Sequence, residues 1–129
     1  MHKKLRIESG LQTGAEMRFL LTKTPKSPGG TPTGTMITDS DEITFVYLLE
    51  EEEGYSHIHF PQKIWPLMVD VLQTDSDPIL SWGEEMITLK GFKDELMMLI
   101  FNIEGNNNYG EKFTSVVEKA FEKILKSTE

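Results

Sequence analysis

Two histidines and two aspartates are the residues of this sequence best suited to bind a metal ion. His57 and His59 lie two positions apart in a segment with the pattern of a β-strand, so both side chains point to one face of the sheet. Imidazole nitrogens and carboxylate oxygens are common ligands of zinc and other transition metals. Asp39 and Asp41 complete the set if the adjoining strand brings them close. The sequence favours the simpler interpretation, a polar sheet face without a metal, because no motif anchors the second pair of ligands.

The segment "GNNNYGEK", Gly105 to Lys112, has the glycine spacing of a phosphate-binding loop. Such a loop follows a strand and needs Gly-Lys-Ser/Thr after four spacer residues. Here Glu111 occupies the lysine position, Phe113 replaces the metal-binding hydroxyl, and the preceding sequence has helical periodicity. These three differences exclude a nucleotide site of this type.

The same segment instead predicts a joint between two helices. Gly105 is expected to end the first helix in the left-handed conformation. Asn108 is expected to cap the second helix, with Glu111 reaching back from the third helical position. Gly110 has no local explanation except the close approach of another backbone or a ligand. The competing hypothesis makes the segment a recognition surface formed by Asn106, Asn107, Asn108, Tyr109 and Gly110.

No pattern in the sequence identifies an enzyme. There is no G-x-S-x-G elbow, and Glu84 and Glu85 lie in a predicted hairpin turn, where solvent keeps both as ordinary acids. Thr44 stands where a calcium-binding loop starting at Asp39 needs glycine. The preferred function is therefore a non-catalytic interaction or regulatory protein, with enzymatic activity left open but not favoured and no cofactor predicted. The alternative is a small-molecule- or metal-binding protein that uses the sheet face of His57 and His59 with Asp39 and Asp41.

The composition limits the partners and the compartment. The chain has 129 residues and a net charge of −8, which argues against nucleic-acid binding because phosphate neutralisation needs clustered Lys and Arg. We expect an unidentified protein partner, basic in character, or a second copy in a homodimer. The absence of cysteine fits the cytoplasm. The longest apolar run, Leu96 to Phe101, is far shorter than the ~20 residues of a membrane helix, so no membrane association is predicted.

The elements that must position these residues are strands in the first half of the chain and helices in the second. Alternating or apolar segments predict strands near the N-terminus, at Ile43 to Glu50 and at Tyr55 to Phe60, followed by a short hairpin through Gly83 and Glu84. Residues 23–34 carry three prolines and three glycines and predict a flexible loop. Helices are expected from Pro61, from Phe92 to Glu104, and from Phe113 to Leu125.

These elements predict one globular α+β domain spanning residues 1–129. Its sheet is largely antiparallel, about three helices pack on one side, and the chain ends in a helix-turn-helix pair. The predicted core consists of Phe45, Tyr47, Ile58, Leu67, Leu96, Ile100, Phe113, Val117 and Phe121.

Three stretches of the sequence resemble a known family. They are "TDSDEITFVYLLE", the helix start from Pro61 to Trp65, and "NIEGNNNYGEKF" with the later "VVEKAF". Together they are similar to uncharacterised protein family 0738, a family of small proteins of Bacillales, from about Thr38 to Phe121. The resemblance implies a cytoplasmic bacterial protein, and it implies no activity, cofactor or catalytic residue.

Overall fold

The strands of this protein, described here from a computed structural model, form two sheets. The structure describes residues 3–21, 30–82 and 84–126, and within these ranges there are eight strands. They are β1 (Lys3–Arg6), β2 (Ser9–Thr13), β3 (Glu16–Leu20), β4 (Thr31–Asp39), β5 (Thr44–Glu51), β6 (Gly54–Pro61), β7 (Ile79–Trp82) and β8 (Glu85–Thr88). The first sheet has the order β1-β6-β5-β4, and the second has the order β2-β3-β7-β8.

Most neighbouring strands are antiparallel. The four antiparallel pairs are β2 with β3, β4 with β5, β5 with β6, and β7 with β8. The two parallel pairs join segments distant in sequence, β1 with β6 and β3 with β7. The predicted α+β class is confirmed. The division of the strands between two sheets is an additional finding, since periodicity identifies a strand but not its partner.

The α-helices lie in the second half of the chain, as predicted, but the last predicted helix is divided into two. They are α1 (Trp65–Leu72), α2 (Phe92–Ile103), α3 (Glu111–Ala120) and α4 (Glu122–Lys126). Pro61 ends β6 and precedes a 3₁₀ turn, and Pro66 lies in the first turn of α1, where the missing N–H costs no hydrogen bond. The expected single final helix is interrupted at Phe121 (φ −105°, ψ 18°), so the described residues contain four α-helices where about three helices were predicted.

The two sheets and the helices share an aromatic core. Phe45 on β5 contacts the rings of Trp65, Phe113 and Phe121, with centroids between 5.2 and 5.9 Å away. Phe19 on β3 contacts Phe60 in the first sheet at 5.1 Å and thereby joins the second sheet to the same core. Of the nine predicted core residues, Leu67 is half-buried and packs against the core; the other eight are buried.

The structure describes only the last residues of the flexible loop predicted at 23–34. Residues 23–29 lie outside the described residues, and Thr31 to Gly34 belong to β4. The loop prediction was therefore wrong for these last four residues. Pro32 is accommodated because β4 is an edge strand, and the pairing of β4 with β5 shifts register between Pro32 and Met36.

No helix in the described ranges is both long enough and apolar enough to cross a lipid bilayer.

Candidate functional site

The face of the first sheet opposite the aromatic core carries both polar and apolar side chains, with polar residues on β1 and β6. Arg6, His59, Val46 and Ile37 are aligned partners across all four strands, so their side chains lie on one face. Lys4 and His57 are aligned in the same way two residues along β1 and β6. The predicted placement of both histidines on one face therefore agrees with the register.

A tight turn between β4 and β5 adds carboxylates to this face. The Oδ1 atom of Asp39 accepts hydrogen bonds from the backbone N–H groups of Asp41 and Glu42, each at 3.1 Å. Ile43 then adopts a positive φ of 56°, which is rare for a β-branched residue. The side chain of Asp39 thus fixes the turn, and the backbone at Ile43 redirects the chain into β5.

Asp39, Glu42 and His59 converge at one end of the face. Each offers one ligand atom, and these atoms all lie within 4.8 Å of one another. They border a cavity of about 480 Å³. Its lining consists of Lys4, Ile37, Thr38, Asp39, Ser40, Glu42, Val46, His57 and His59. We call this the sheet-face pocket.

His59 is the buried member of the group, with 4% of its surface exposed. Its Nδ1 atom lies 2.9 Å from the hydroxyl oxygen of Thr44, which is itself buried. If Nδ1 carries the proton, it donates to this oxygen and leaves the Nε2 lone pair for a ligand. Burial is the main cause that lowers the pKa of His59, while the Glu42 charge acts in the opposite direction. The imidazole is therefore neutral near pH 7, as a metal ligand must be.

Glu42 is held between two cations of β1. Its Oε1 atom accepts from Nη2 of Arg6 at 3.1 Å, and its Oε2 atom accepts from Nζ of Lys4. The three side chains are between 32% and 53% exposed, so solvent screens both ion pairs and each stabilises the fold only slightly. The carboxylate of Glu42 thus connects the pocket to the N-terminal strand through weak links.

The structure brings together only part of the metal set proposed from the sequence. Asp39 and His59 are neighbours, and His57 lines the same pocket without belonging to the group. Asp41 is exposed and outside the group. Glu42 was missed by the sequence reasoning. Residue types carried no signal for it, because the position of Glu42 depends on the backbone of the turn between β4 and β5.

The segment between α2 and α3 lies beside this pocket. Gly105 follows α2 with a left-handed φ of 70°, as predicted, and its N–H donates to Oε2 of Glu118 at 2.7 Å. Gly110 has a φ of 99°, which explains the glycine without a ligand. A methyl group added to Gly110 would stand 3.8 Å from Cβ of Ser40, which lines the pocket.

The predicted cap of α3 was wrong. Asn107–Tyr109 form a 3₁₀ turn, so Asn108 lies inside a turn and not at the start of a helix. The capping side chain is that of Asn106, which accepts from the N–H of Asn108 at 3.0 Å. The helix α3 begins after Gly110 without a side-chain cap. Asn107 and Asn108 remain exposed, and Tyr109 packs partly against the core.

A family model and several known proteins are similar to this chain. The family model described as "Family of unknown function (UPF0738)" matches residues 5–121. A UPF0738 protein of Lysinibacillus sphaericus is 41% identical over 125 residues, which cover 97% of this chain and 98% of the relative. A UPF0738 protein of a Geobacillus species is 37% identical over 94% of this chain and 98% of its own length.

A relative from another bacterial genus matches over a shorter part of the chain. A UPF0738 protein of Staphylococcus epidermidis is 42% identical over 89 residues, which cover 69% of this chain and 73% of the relative. The names of these relatives state no activity. No solved structure matches the chain at a significant level.

Proposed function

We propose that this chain, which belongs to the UPF0738 family, is a non-catalytic regulatory protein. In this proposal the protein binds a divalent transition-metal ion. The ligands are Asp39, Glu42 and His59 in the sheet-face pocket. The proposal includes the cytoplasmic location expected from the cysteine-free composition.

The convergence of the three ligand atoms within 4.8 Å is the observation that carries this proposal. One imidazole with two carboxylates suits Zn²⁺, Mn²⁺ or Fe²⁺ better than Ca²⁺ or Mg²⁺, which prefer oxygen ligands alone. His57 lines the same pocket and is the candidate for a fourth ligand. Thr44 supports the site because a hydrogen bond to the second ring nitrogen orients a ligating histidine.

The backbone next to the site supports the same interpretation. A β-branched residue with positive φ costs roughly 1–3 kcal/mol, and such residues are enriched where a ligand is bound. Ile43 is the residue in this conformation among the described non-glycine residues. It directly follows Glu42, a proposed ligand, in the turn between β4 and β5.

The links between Glu42 and β1 suggest how a bound ion is sensed. A metal ion on Glu42 neutralises the carboxylate, which weakens its attraction to Lys4 and Arg6. Because β1 is an edge strand whose neighbour in the sheet is β6, weaker ion pairs allow it to open more often. Metal binding is therefore expected to speed amide exchange in Lys4–Arg6, measured by hydrogen–deuterium exchange with and without Zn²⁺.

A protein-binding surface for such a regulator is the neighbouring segment of Asn106, Asn107, Asn108, Tyr109 and Gly110. Its exposed amides and its position beside Ser40 support a role in which a partner contacts both this segment and the pocket. The net charge of −8 favours a basic partner. Asn107→Ala is expected to leave zinc affinity unchanged, which separates this second role from metal binding.

The test of the metal site is calorimetric titration of protein purified without an affinity tag, using Zn²⁺ and then Mn²⁺. One ion per chain should bind, and His59→Gln or Glu42→Gln should weaken binding at least about tenfold, since changes around a metal site cost 10–100-fold. Asp41→Asn is the matched control, because this carboxylate lies in the same turn but outside the group. Equal affinities for His59→Gln and the parent protein, or equal loss in the control, would overturn the assignment.

A further inference from the structure

A second concavity lies between α1 and the α3–α4 segment, formed by elements other than the β4–β5 turn. It has a volume of about 640 Å³, within the ~300–1,000 Å³ usual for small-molecule sites. Its lining consists of Gln62, Trp65, Pro66, Val69, Val116, Lys119, Ala120 and Lys123. We call it the helix groove.

The groove has a fixed apolar floor. Trp65 is fully buried, and its ring contacts those of Phe113 and Phe121 at centroid distances of 6.1 and 5.7 Å. Its indole Nε1–H already donates to the carbonyl of Phe60 at 2.9 Å. No free donor of Trp65 therefore faces the groove, and because Trp65 is fully buried, the accessible apolar surface belongs to its less buried neighbours. Val116 and Ala120 continue this surface and are only partly buried.

Two lysines give one wall of the groove a positive charge. Neither Lys119 nor Lys123 forms an ion pair within 4 Å with any described residue, although the protein as a whole is acidic. The glutamates that directly precede the two lysines in the sequence have other partners. Glu118 accepts from the N–H of Gly105, and Glu122 pairs with Lys126 at 2.5 Å. Within the described part of the chain both lysines are thus without an ion-pair partner, although Lys119 also lines another concavity with Glu104, Glu118 and Glu122.

We propose that the helix groove binds an amphiphilic carboxylate, an unbranched aliphatic chain that lies on the apolar surface while its anionic end pairs with Lys119 and Lys123. The charge of the wall requires an anion, and the floor requires an apolar body. From Gln62 to Val69 the groove follows the 3₁₀ turn at ~2.0 Å per residue and then α1 at ~1.5 Å per residue, roughly 12 Å in all, which is the scale of a medium-length chain.

The test is titration with decanoate below its micelle concentration, followed by amide NMR shifts of the full-length protein. Shifts should concentrate at Val69, Val116 and Ala120. Decyltrimethylammonium, with the same chain and the opposite charge, should bind at least about threefold more weakly, as should the double variant Lys119→Gln/Lys123→Gln, because two exposed ion pairs contribute modestly. Lys112→Gln is the matched control, an exposed lysine of α3 that does not line the groove.

Three outcomes would overturn this proposal. Equal binding of the cationic and anionic chains would show adsorption to apolar surface without recognition of the carboxylate. Shifts outside the groove would place the ligand elsewhere. A dimer in sedimentation that dissociates on Lys119→Gln would assign the groove to a second copy. Zinc titration of the double variant should match the parent protein, so failure of this site and failure of the metal site are distinguishable.

Discussion

His59 is a buried histidine whose charge state depends on its neighbours. Its pKa is lowered mainly by burial, so the folded protein keeps the ring neutral at pH values where the unfolded chain, with a pKa of about 6.5, takes up a proton. Between these two pKa values the unfolded state binds more protons, and stability falls as the pH falls. The contribution of His59 is fully present above about pH 6.5 and is lost on acidification below it.

We therefore expect the melting temperature to drop between pH 7.5 and pH 5.5, measured by thermal denaturation in metal-free buffer. In His59→Gln the drop should be smaller, because glutamine does not titrate and can still bond to Thr44. His57→Gln serves as the comparison, since this histidine is only half-buried. An unchanged slope in His59→Gln would show that another group controls the acid sensitivity.

At the scale of single residues, the sequence predicted part of the pocket. It placed His57 and His59 on one face because the two-residue repeat of a strand leaves no other arrangement. It missed Glu42, whose position depends on the hydrogen bonds of Asp39 and on the backbone of Ile43. Neither the positive φ of an isoleucine nor the length of a turn can be read from residue types, so the third ligand was invisible.

At the scale of secondary-structure elements, the asparagines in the joint between α2 and α3 are expected to contribute unequally to stability. Asn106→Ala should reduce the free energy of unfolding by about 0.5–2 kcal/mol, as the loss of a cap does, because its side chain holds the N–H of Asn108. Asn108→Ala should change it by less than about 0.5 kcal/mol, since the Asn108 side chain is exposed. Urea denaturation measures both, and a larger effect at Asn108 would contradict the capping pattern.

The conformation of the same joint could be predicted only in part from the local sequence. Gly105 was predicted in the left-handed conformation because a glycine after a helix usually adopts it. The 3₁₀ turn at Asn107–Tyr109 was not predicted, since three asparagines in a row are compatible with several turn types. The parallel pairings of β1 and β3 were missed for a different reason. Each strand has a clear pattern, but its partner lies far away in the sequence.

For the whole molecule, one hydroxyl group connects three separate parts. The Oη of Tyr47 on β5 donates to the carbonyl of Lys90 before α2 at 2.6 Å and accepts from the N–H of Gly34 on the edge strand at 3.1 Å. Burial is the main cause that raises its pKa, so the phenol stays protonated and able to donate. The backbones of Gly34 and Gly91 are in close contact here, since a methyl group on Gly91 would lie 3.1 Å from the Cα atom of Gly34.

Tyr47→Phe should lower the free energy of unfolding by about 1–3 kcal/mol, because the backbone groups of Gly34 and Lys90 each lose this partner. Urea denaturation gives the value, and Tyr55→Phe is the control, as Tyr55 is 38% exposed. If the two variants were equally stable, the Tyr47 hydroxyl would not contribute to holding β4 at Gly34 and the chain before α2 at Lys90.

The pairing of β1 with β6 and of β3 with β7 also determines the order in which the chain can fold during synthesis. When the first 21 residues leave the ribosome, only the β2–β3 hairpin has its partner, and an isolated hairpin is marginally stable. β1 must wait for residues 56–59, and β3 must wait for residues 79–81. Phe113 and Phe121 arrive last, so until translation is nearly complete Phe45 and Trp65 lack two of their ring partners. A prematurely terminated chain therefore exposes aromatic surface that chaperones and proteases recognise, whereas the finished chain conceals it.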